Sequence, residues 1–120
     1  IAFQLVDDAM DYDSDAHEMG KGKGDDFREG KMTLPVILAY AQVSAEERAF
    51  WKDAMLGHRA SDEDLAHAVE LIALHDAVTA TSERAQHFAQ RAINALAMFP
   101  ASEAKAAMAE AAEFAVARRF

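Results

Sequence analysis

The sequence predicts an all-α fold, because its residue usage favours helices and gives no sustained strand pattern. Alanine is abundant, and β-branched residues never alternate with polar ones over the length of a strand. The chain has two prolines, Pro35 and Pro100, and four of its five glycines lie within residues 20–30. We therefore predict helices on both sides of one long glycine-rich loop.

Capping signals divide the chain into elements. The first helix is predicted over residues 1–12 and the loop over residues 13–31. Thr33 is the predicted N-cap of the second helix, because Pro35 follows in the first turn, and Ser44 opens a capping box for the third. The C-terminal helices span residues 33–118; the later ones are predicted to start at Ser61, Ala77 and Ser102, with a candidate break at Thr81–Ser82.

Composition excludes several classes of function. The formal net charge of −9 argues against nucleic acid and anionic membrane surfaces as partners. The absence of cysteine excludes disulfides and thiolate metal sites. No apolar run approaches the roughly 20 residues of a membrane span, and no signal peptide is visible. We therefore expect a cytoplasmic protein without a membrane span.

A polar stripe runs along the first helix. Four polar side chains at positions i, i+3, i+4 and i+7 share one helix face: Gln4, Asp7, Asp8 and Asp11. The other positions in residues 2–10 are apolar, which predicts a helix buried on most of its surface and a stripe that faces an apolar hollow. Crowded carboxylates repel one another there, and a hard divalent cation with phosphate oxygens relieves the repulsion. The alternative is a solvated acidic face.

The glycine-rich loop has the composition of a phosphate-binding segment. Its glycines allow backbone amides to approach an anion closely, and Lys21 and Lys31 add positive charge. Two cations beside an acidic stripe indicate a site in which metal ions lie between carboxylates and a diphosphate. The alternative is a polar loop whose lysines balance local charge.

These residues carry a resemblance to a known family. Residues 3–11 resemble the second aspartate-rich motif of trans-isoprenyl diphosphate synthases. Gly20–Lys21 and residues 24–35 resemble the segment that follows it in the long-chain members, which make octaprenyl to decaprenyl products. The resemblance covers about residues 1–41, and it departs from the usual Asn-Thr-like pair at Gly22–Lys23.

The resemblance implies the C-terminal part of an all-α isoprenoid-synthase bundle and a prenyltransferase reaction of isoprenoid biosynthesis. In this family two aspartate-rich motifs hold three Mg²⁺ on an allylic diphosphate. Diphosphate leaves an allylic carbocation, which isopentenyl diphosphate attacks, and repeated cycles lengthen the chain. Members usually form homodimers.

The resemblance also assigns roles to residues. Asp7 is expected to bind Mg²⁺ directly, and Asp8 and Asp11 to support the metal through water or neighbouring groups. Lys21 and Lys31 are expected to contact the allylic diphosphate. Gln4 is expected to orient the site, and Asp26 to bind a metal-bound water.

The chain contains one Asp-Asp-x-x-Asp motif, and it opens inside an apolar helical pattern without a capping residue. We therefore expect the natural protein to continue upstream, where the missing N-terminal half would carry the first motif, and we expect the 120 residues alone to be inactive. Two alternatives remain open: a non-catalytic regulatory subunit of the same family, and a helical interaction module with an acidic face. Arg118 and Arg119 either close over the site or end a solvated helix, the second being favoured by the helix dipole.

Overall fold

The computed structural model describes residues 1–13, 24–57 and 61–117, and all regular elements in these ranges are helices. This confirms the predicted all-α class. The helices are α1 (Ala2–Met10), α2 (Asp25–Arg28), α3 (Leu34–Ala41), α4 (Ala45–Leu56), α5 (Asp62–Leu74), α6 (Ala77–Leu96) and α7 (Glu103–Ala117).

Local caps set where several helices begin. The Ser44 hydroxyl accepts the Glu47 amide at 3.4 Å, and the Glu47 carboxylate accepts the Ser44 amide at 2.9 Å, so the predicted capping box is present. Ser61 accepts the Asp64 amide at 3.1 Å and starts α5. Thr33 holds the predicted N-cap position of α3 with extended backbone, but its hydroxyl makes no cap bond.

Two predicted elements differ from the structure. The loop over residues 13–31 contains a short helix, α2, which tertiary contacts with α1 and α5 stabilise. The candidate break at Thr81 is wrong, because α6 runs through it. The Thr81 hydroxyl is buried and donates to the Ala77 carbonyl at 2.7 Å, so the side chain is satisfied within the helix.

Helix α6 is the spine of the fold, because α1, α3, α5 and α7 all pack against it. The larger core lies among α2 to α5, where the Phe27 and Trp51 rings meet edge to face with centroids 6.3 Å apart. A smaller core joins Val6 and Met10 of α1 to Ala85 of α6. The buried side of α1 therefore packs against α6.

Burial of α1 is less complete than its sequence predicts. Val6, Ala9 and Met10 are buried, but Phe3 is 53% exposed and Ile1 is 79% exposed. One face of α1 is therefore in the core of this chain, while its N-terminal end keeps apolar surface in contact with solvent. No helix within residues 1–13, 24–57 and 61–117 is long and apolar enough to cross a membrane.

Candidate functional site

The polar stripe of α1 lines a cavity of about 390 Å³. We call this cavity, with the eight residues around it, the acidic cavity. One wall is α1, and the other is α2 with the residues that follow it. The eight residues are Gln4, Asp7, Asp8 and Asp11 from α1 and its C-cap, and Asp25, Asp26, Glu29 and Lys31 from the second wall.

Helical spacing directs the stripe into the cavity. The buried residues Val6, Ala9 and Met10 turn the opposite face of α1 towards α6, so the polar positions face away from the core. Asp7, Asp8 and Asp11 are only partly exposed. The Gln4 side-chain amide donates to an Asp8 carboxylate oxygen at 2.9 Å, which fixes the orientation of that carboxylate.

Asp11 connects the two walls. Its Oδ2 accepts the Asp26 amide at 3.1 Å, and its carbonyl accepts the Gly24 amide at 3.0 Å. Burial raises the pKa of Asp11 to about 6, and the Asp26 amide opposes this rise by stabilising the anion. The negative charges of Asp26 and Asp25 raise the pKa of Asp11 further.

Lys31 is the cation of the acidic cavity among the residues that the structure describes there. Its Nζ lies 2.9 Å from Glu29 Oε2 and 3.8 Å from Asp26 Oδ1. The hydrogen bond with Glu29, followed by the charges of Glu29 and Asp26, raises the pKa of Lys31, so the ammonium stays charged. Burial and the charge of Asp8 raise the pKa of Asp26 despite Lys31.

The cavity is more acidic than the sequence predicts. Its lining is polar throughout, with six carboxylates, so the expected apolar hollow is wrong for this chain. The reason is that α2 turns its own acidic side chains towards the stripe. Asp25 and Glu29 were not among the predicted site residues. Asp25 is the first residue of α2 and Glu29 is its C-cap. The sequence does not reveal them as site residues, because a four-residue helix held by tertiary contacts leaves no pattern of its own.

The structure therefore brings together six of the predicted site residues: Gln4, Asp7, Asp8, Asp11, Asp26 and Lys31. The remaining one, Lys21, lies outside the described residues, as do Arg118 and Arg119. The roles assigned to all of these residues stay predictions, because position alone does not establish metal or substrate binding.

The donor set fits a hard cation that is shared with a ligand. Within the described ranges, no three carboxylate or imidazole side chains converge closely enough to hold a metal ion by themselves. Mg²⁺ is commonly held by one or two carboxylates together with substrate phosphates and water. The acidic cavity offers carboxylate oxygens, so it suits Mg²⁺ bound jointly with a phosphate group.

Comparisons with known proteins match this chain to prenyl diphosphate synthases. The family model for polyprenyl synthetase matches residues 1–72. The octaprenyl diphosphate synthase of Haemophilus influenzae is 38% identical over 122 residues, which cover 99% of this chain and 36% of that protein.

Two solved all-α structures share the fold. The polyprenyl synthase from Caulobacter crescentus, complexed with calcium and isoprenyl diphosphate, matches with a TM-score of 0.84 and 46% identity over 99% of this chain and 36% of that one. The decaprenyl diphosphate synthase from Rhodobacter capsulatus matches with a TM-score of 0.83 and 38% identity over 97% of this chain and 34% of that one. The chain thus spans about a third of the length of these proteins.

Proposed function

Because the chain belongs to the polyprenyl synthetase family, we propose that it forms one wall of the active site of a Mg²⁺-dependent prenyltransferase. The proposed reaction condenses isopentenyl diphosphate with an allylic diphosphate to give a long-chain polyprenyl diphosphate. The observation that carries this proposal is the acidic cavity, where six carboxylates and one lysine face one another across α1 and α2.

The charge of the acidic cavity determines what it can bind. A unit negative charge 4 Å from a carboxylate costs about 4 kcal/mol at an effective dielectric constant of about 20. A diphosphate that met several such carboxylates directly would be expelled. Divalent cations held by these carboxylates would supply the positive charge that makes binding of a diphosphate favourable. The carboxylates would then bind a diphosphate only together with metal ions.

Asp7 is proposed to bind Mg²⁺ directly, Asp8 to support it through bound water, and Asp11 to support it through neighbouring groups. The hydrogen bond from Gln4 supports the role of Asp8, because it restricts the carboxylate to one orientation. Bound Mg²⁺, three ions in a complete site, would supply charge neutralisation for the diphosphate leaving group. Asp26 completes the proposed set from the opposite wall and would accept a hydrogen bond from a metal-bound water.

Lys31 is proposed to bind the allylic diphosphate by exchanging its present partner. Its side chain is 59% exposed and pairs with Glu29, whose side chain is 58% exposed. Exposed ion pairs contribute only about 0–1 kcal/mol, so a diphosphate oxygen competes easily with Glu29 for the ammonium. Lys21 is proposed to bind the same diphosphate.

The rest of the site is proposed to come from the part of the relatives' length that this chain does not match. That part would carry the first aspartate-rich motif and the isopentenyl diphosphate site. The Phe3 side chain in the first turn of α1 supports this proposal, because it is 53% exposed and offers an apolar surface to further helices. A cytoplasmic homodimer is part of the same proposal.

A chimera tests the proposed function. The 120 residues replace the matching segment of the Caulobacter crescentus polyprenyl synthase, and prenyl transfer is measured with and without Mg²⁺. We expect Mg²⁺-dependent turnover by the chimera and none by the isolated chain. Asp7→Asn should lower kcat by about 10²-fold or more. Glu110→Gln, an exposed carboxylate of α7 outside the acidic cavity, is the matched control and should be neutral.

Two results would count against the proposed enzymatic function. A folded chimera without turnover would remove the catalytic role and favour a regulatory subunit. Turnover that Asp7→Asn leaves at the level of Glu110→Gln would show that the acidic stripe takes no part in the reaction, as expected for an interaction module.

A further inference from the structure

Asp11 differs from the other carboxylates of α1 in what it contacts. It is the C-cap of α1, and both its carbonyl and its carboxylate accept backbone amides from the second wall. The carbonyl accepts Gly24 at 3.0 Å, and Oδ2 accepts Asp26 at 3.1 Å. Gln4, by contrast, pairs with Asp8 within α1. Asp11 is therefore the acceptor in the described hydrogen bonds that join the stripe to α2 and its N-cap Gly24.

The other side of α2 is held by α5. Gly24 has φ of +82°, and a Cβ added there would collide with the Leu65 side chain of α5. Arg28 contacts Asp62, the first residue of α5, at 3.3 Å. Phe27 of α2 is also buried in the core beside Trp51 of α4. Towards α1, the described hydrogen bonds of α2 and its N-cap Gly24 are those accepted by Asp11.

The position of α2 determines the position of the Lys31 backbone. The Lys31 amide donates to the Asp26 carbonyl at 2.8 Å, and the Asp26 amide is the group that Asp11 holds. A shift at Asp26 therefore moves both the Asp26 carboxylate and the backbone of Lys31. These are the two residues of the second wall to which the proposed function gives a role.

We propose that Asp11 is a positioning residue, which acts through the acceptor geometry of its side chain and not through its negative charge. It fixes α2 against α1, so that Asp26 and Lys31 meet a metal-bound diphosphate at the correct distance from Asp7. The proposal rests on the proposed function for its catalytic consequence, whereas the structural clamp stands without it.

Three substitutions separate acceptor geometry from charge. Asp11→Asn keeps an oxygen acceptor at the same distance from the backbone and removes the charge. Asp11→Glu keeps the charge but moves the carboxylate outwards by one methylene. Asp11→Ala removes both. A positioning role requires Asn to rescue function better than Glu, and a role that depends on charge, such as metal binding, requires the opposite order.

Amide hydrogen exchange of Asp26 in the 120-residue chain tests the clamp without any assay of activity. Loss of one hydrogen bond of this kind corresponds to about a tenfold change in an opening equilibrium. Asp11→Ala should therefore raise the exchange rate of the Asp26 amide about tenfold, and Asp11→Asn should stay within about threefold of the unsubstituted chain. Glu110→Gln serves as the unperturbed reference. Equal exchange in Asp11→Ala and the unsubstituted chain would overturn the clamp.

Kinetics of the chimera test the catalytic consequence. Asp11→Asn should keep at least about a third of the activity, whereas Asp11→Glu and Asp11→Ala should raise KM for the allylic diphosphate by about tenfold. Asp7→Asn should instead lower kcat. If Asp11→Glu is active and Asp11→Asn is as impaired as Asp11→Ala, charge is the property used and the proposal is overturned. If the unsubstituted chimera is inactive, the proposed function fails and the exchange experiment alone decides the clamp.

Discussion

Gly24 is the position where a single methyl group should disturb the second wall of the acidic cavity most. Its φ of +82° lies in the left-handed region, where a Cβ costs roughly 1–2 kcal/mol. The added Cβ would also overlap the methyl groups of the Leu65 side chain, which is 9% exposed and would have to shift within the core. Overpacking of this kind costs about 1–3 kcal/mol. Gly24→Ala should therefore lower the free energy of unfolding by about 2–5 kcal/mol.

Gly30 separates the two contributions. It also has a positive φ, +72°, but lies outside the contact with Leu65. Gly30→Ala should therefore cost only the backbone part, roughly 1–2 kcal/mol. In a Leu65→Ala background the methyl group at position 24 finds space, and Gly24→Ala should again cost roughly 1–2 kcal/mol.

Urea unfolding followed by the fluorescence of Trp51 measures these costs. Trp51 is the one tryptophan of the chain and is 2% exposed in the core beside Phe27, so its emission reports loss of the packing around α2. If Gly24→Ala and Gly30→Ala cost the same, or if Leu65→Ala leaves the cost of Gly24→Ala unchanged, the collision does not exist. Leu65 of α5 would then not hold α2 in place.

Further predictions follow from the caps, the titration of Asp11 and the stripe. Ser44→Ala removes the capping box of α4 and should lower the free energy of unfolding by about 1 kcal/mol, whereas Ala45→Ser, one residue inside the helix, should change it by only a few tenths. The pKa of Asp11 is raised to about 6, so its proton stabilises the fold at low pH, and this stability is lost as the pH rises from about 4 through 6. Unfolding measured at both ends of that range should show the wild type losing about 1–2 kcal/mol relative to Asp11→Asn, less than the full shift implies because Asp11 is only half-buried; a parallel pH dependence in the two proteins would contradict the raised pKa. Gln4→Ala frees Asp8 from its hydrogen bond and should lower kcat of the chimera by about tenfold, the low end for groups that orient metal ligands; an unchanged kcat at saturating Mg²⁺ would show that turnover does not need this hydrogen bond.

The parts of the fold that sequence predicts well are those with local causes. The box at Ser44 and the stripe on α1 depend on residues three or four positions apart, so spacing alone is enough to place them. Both are present in the structure at the predicted positions. The break proposed at Thr81 was wrong because the hydroxyl bonds back to Ala77 inside the helix, a choice that burial dictates and spacing does not reveal.

The second wall was harder to predict because its causes are distant in sequence. Helix α2 has four residues, far fewer than a helix needs to be stable alone, and it is held by Asp11, 15 residues before Asp26, and by Leu65 of α5. Glycine content indicated only a loop. Because α2 forms, Asp25 and Glu29 add carboxylates to the lining of the acidic cavity. This is why the cavity differs from the expected apolar hollow.

In the proposed function, a diphosphate binds at the stripe of α1 only through metal ions held by Asp7. This is tested by a crystal structure of the chimera grown with Mn²⁺ and inorganic diphosphate, with anomalous scattering to locate the metal. We expect a Mn²⁺ ion in direct contact with an Asp7 oxygen and with a diphosphate oxygen. Diphosphate bound without metal, or metal bound away from Asp7, would contradict it.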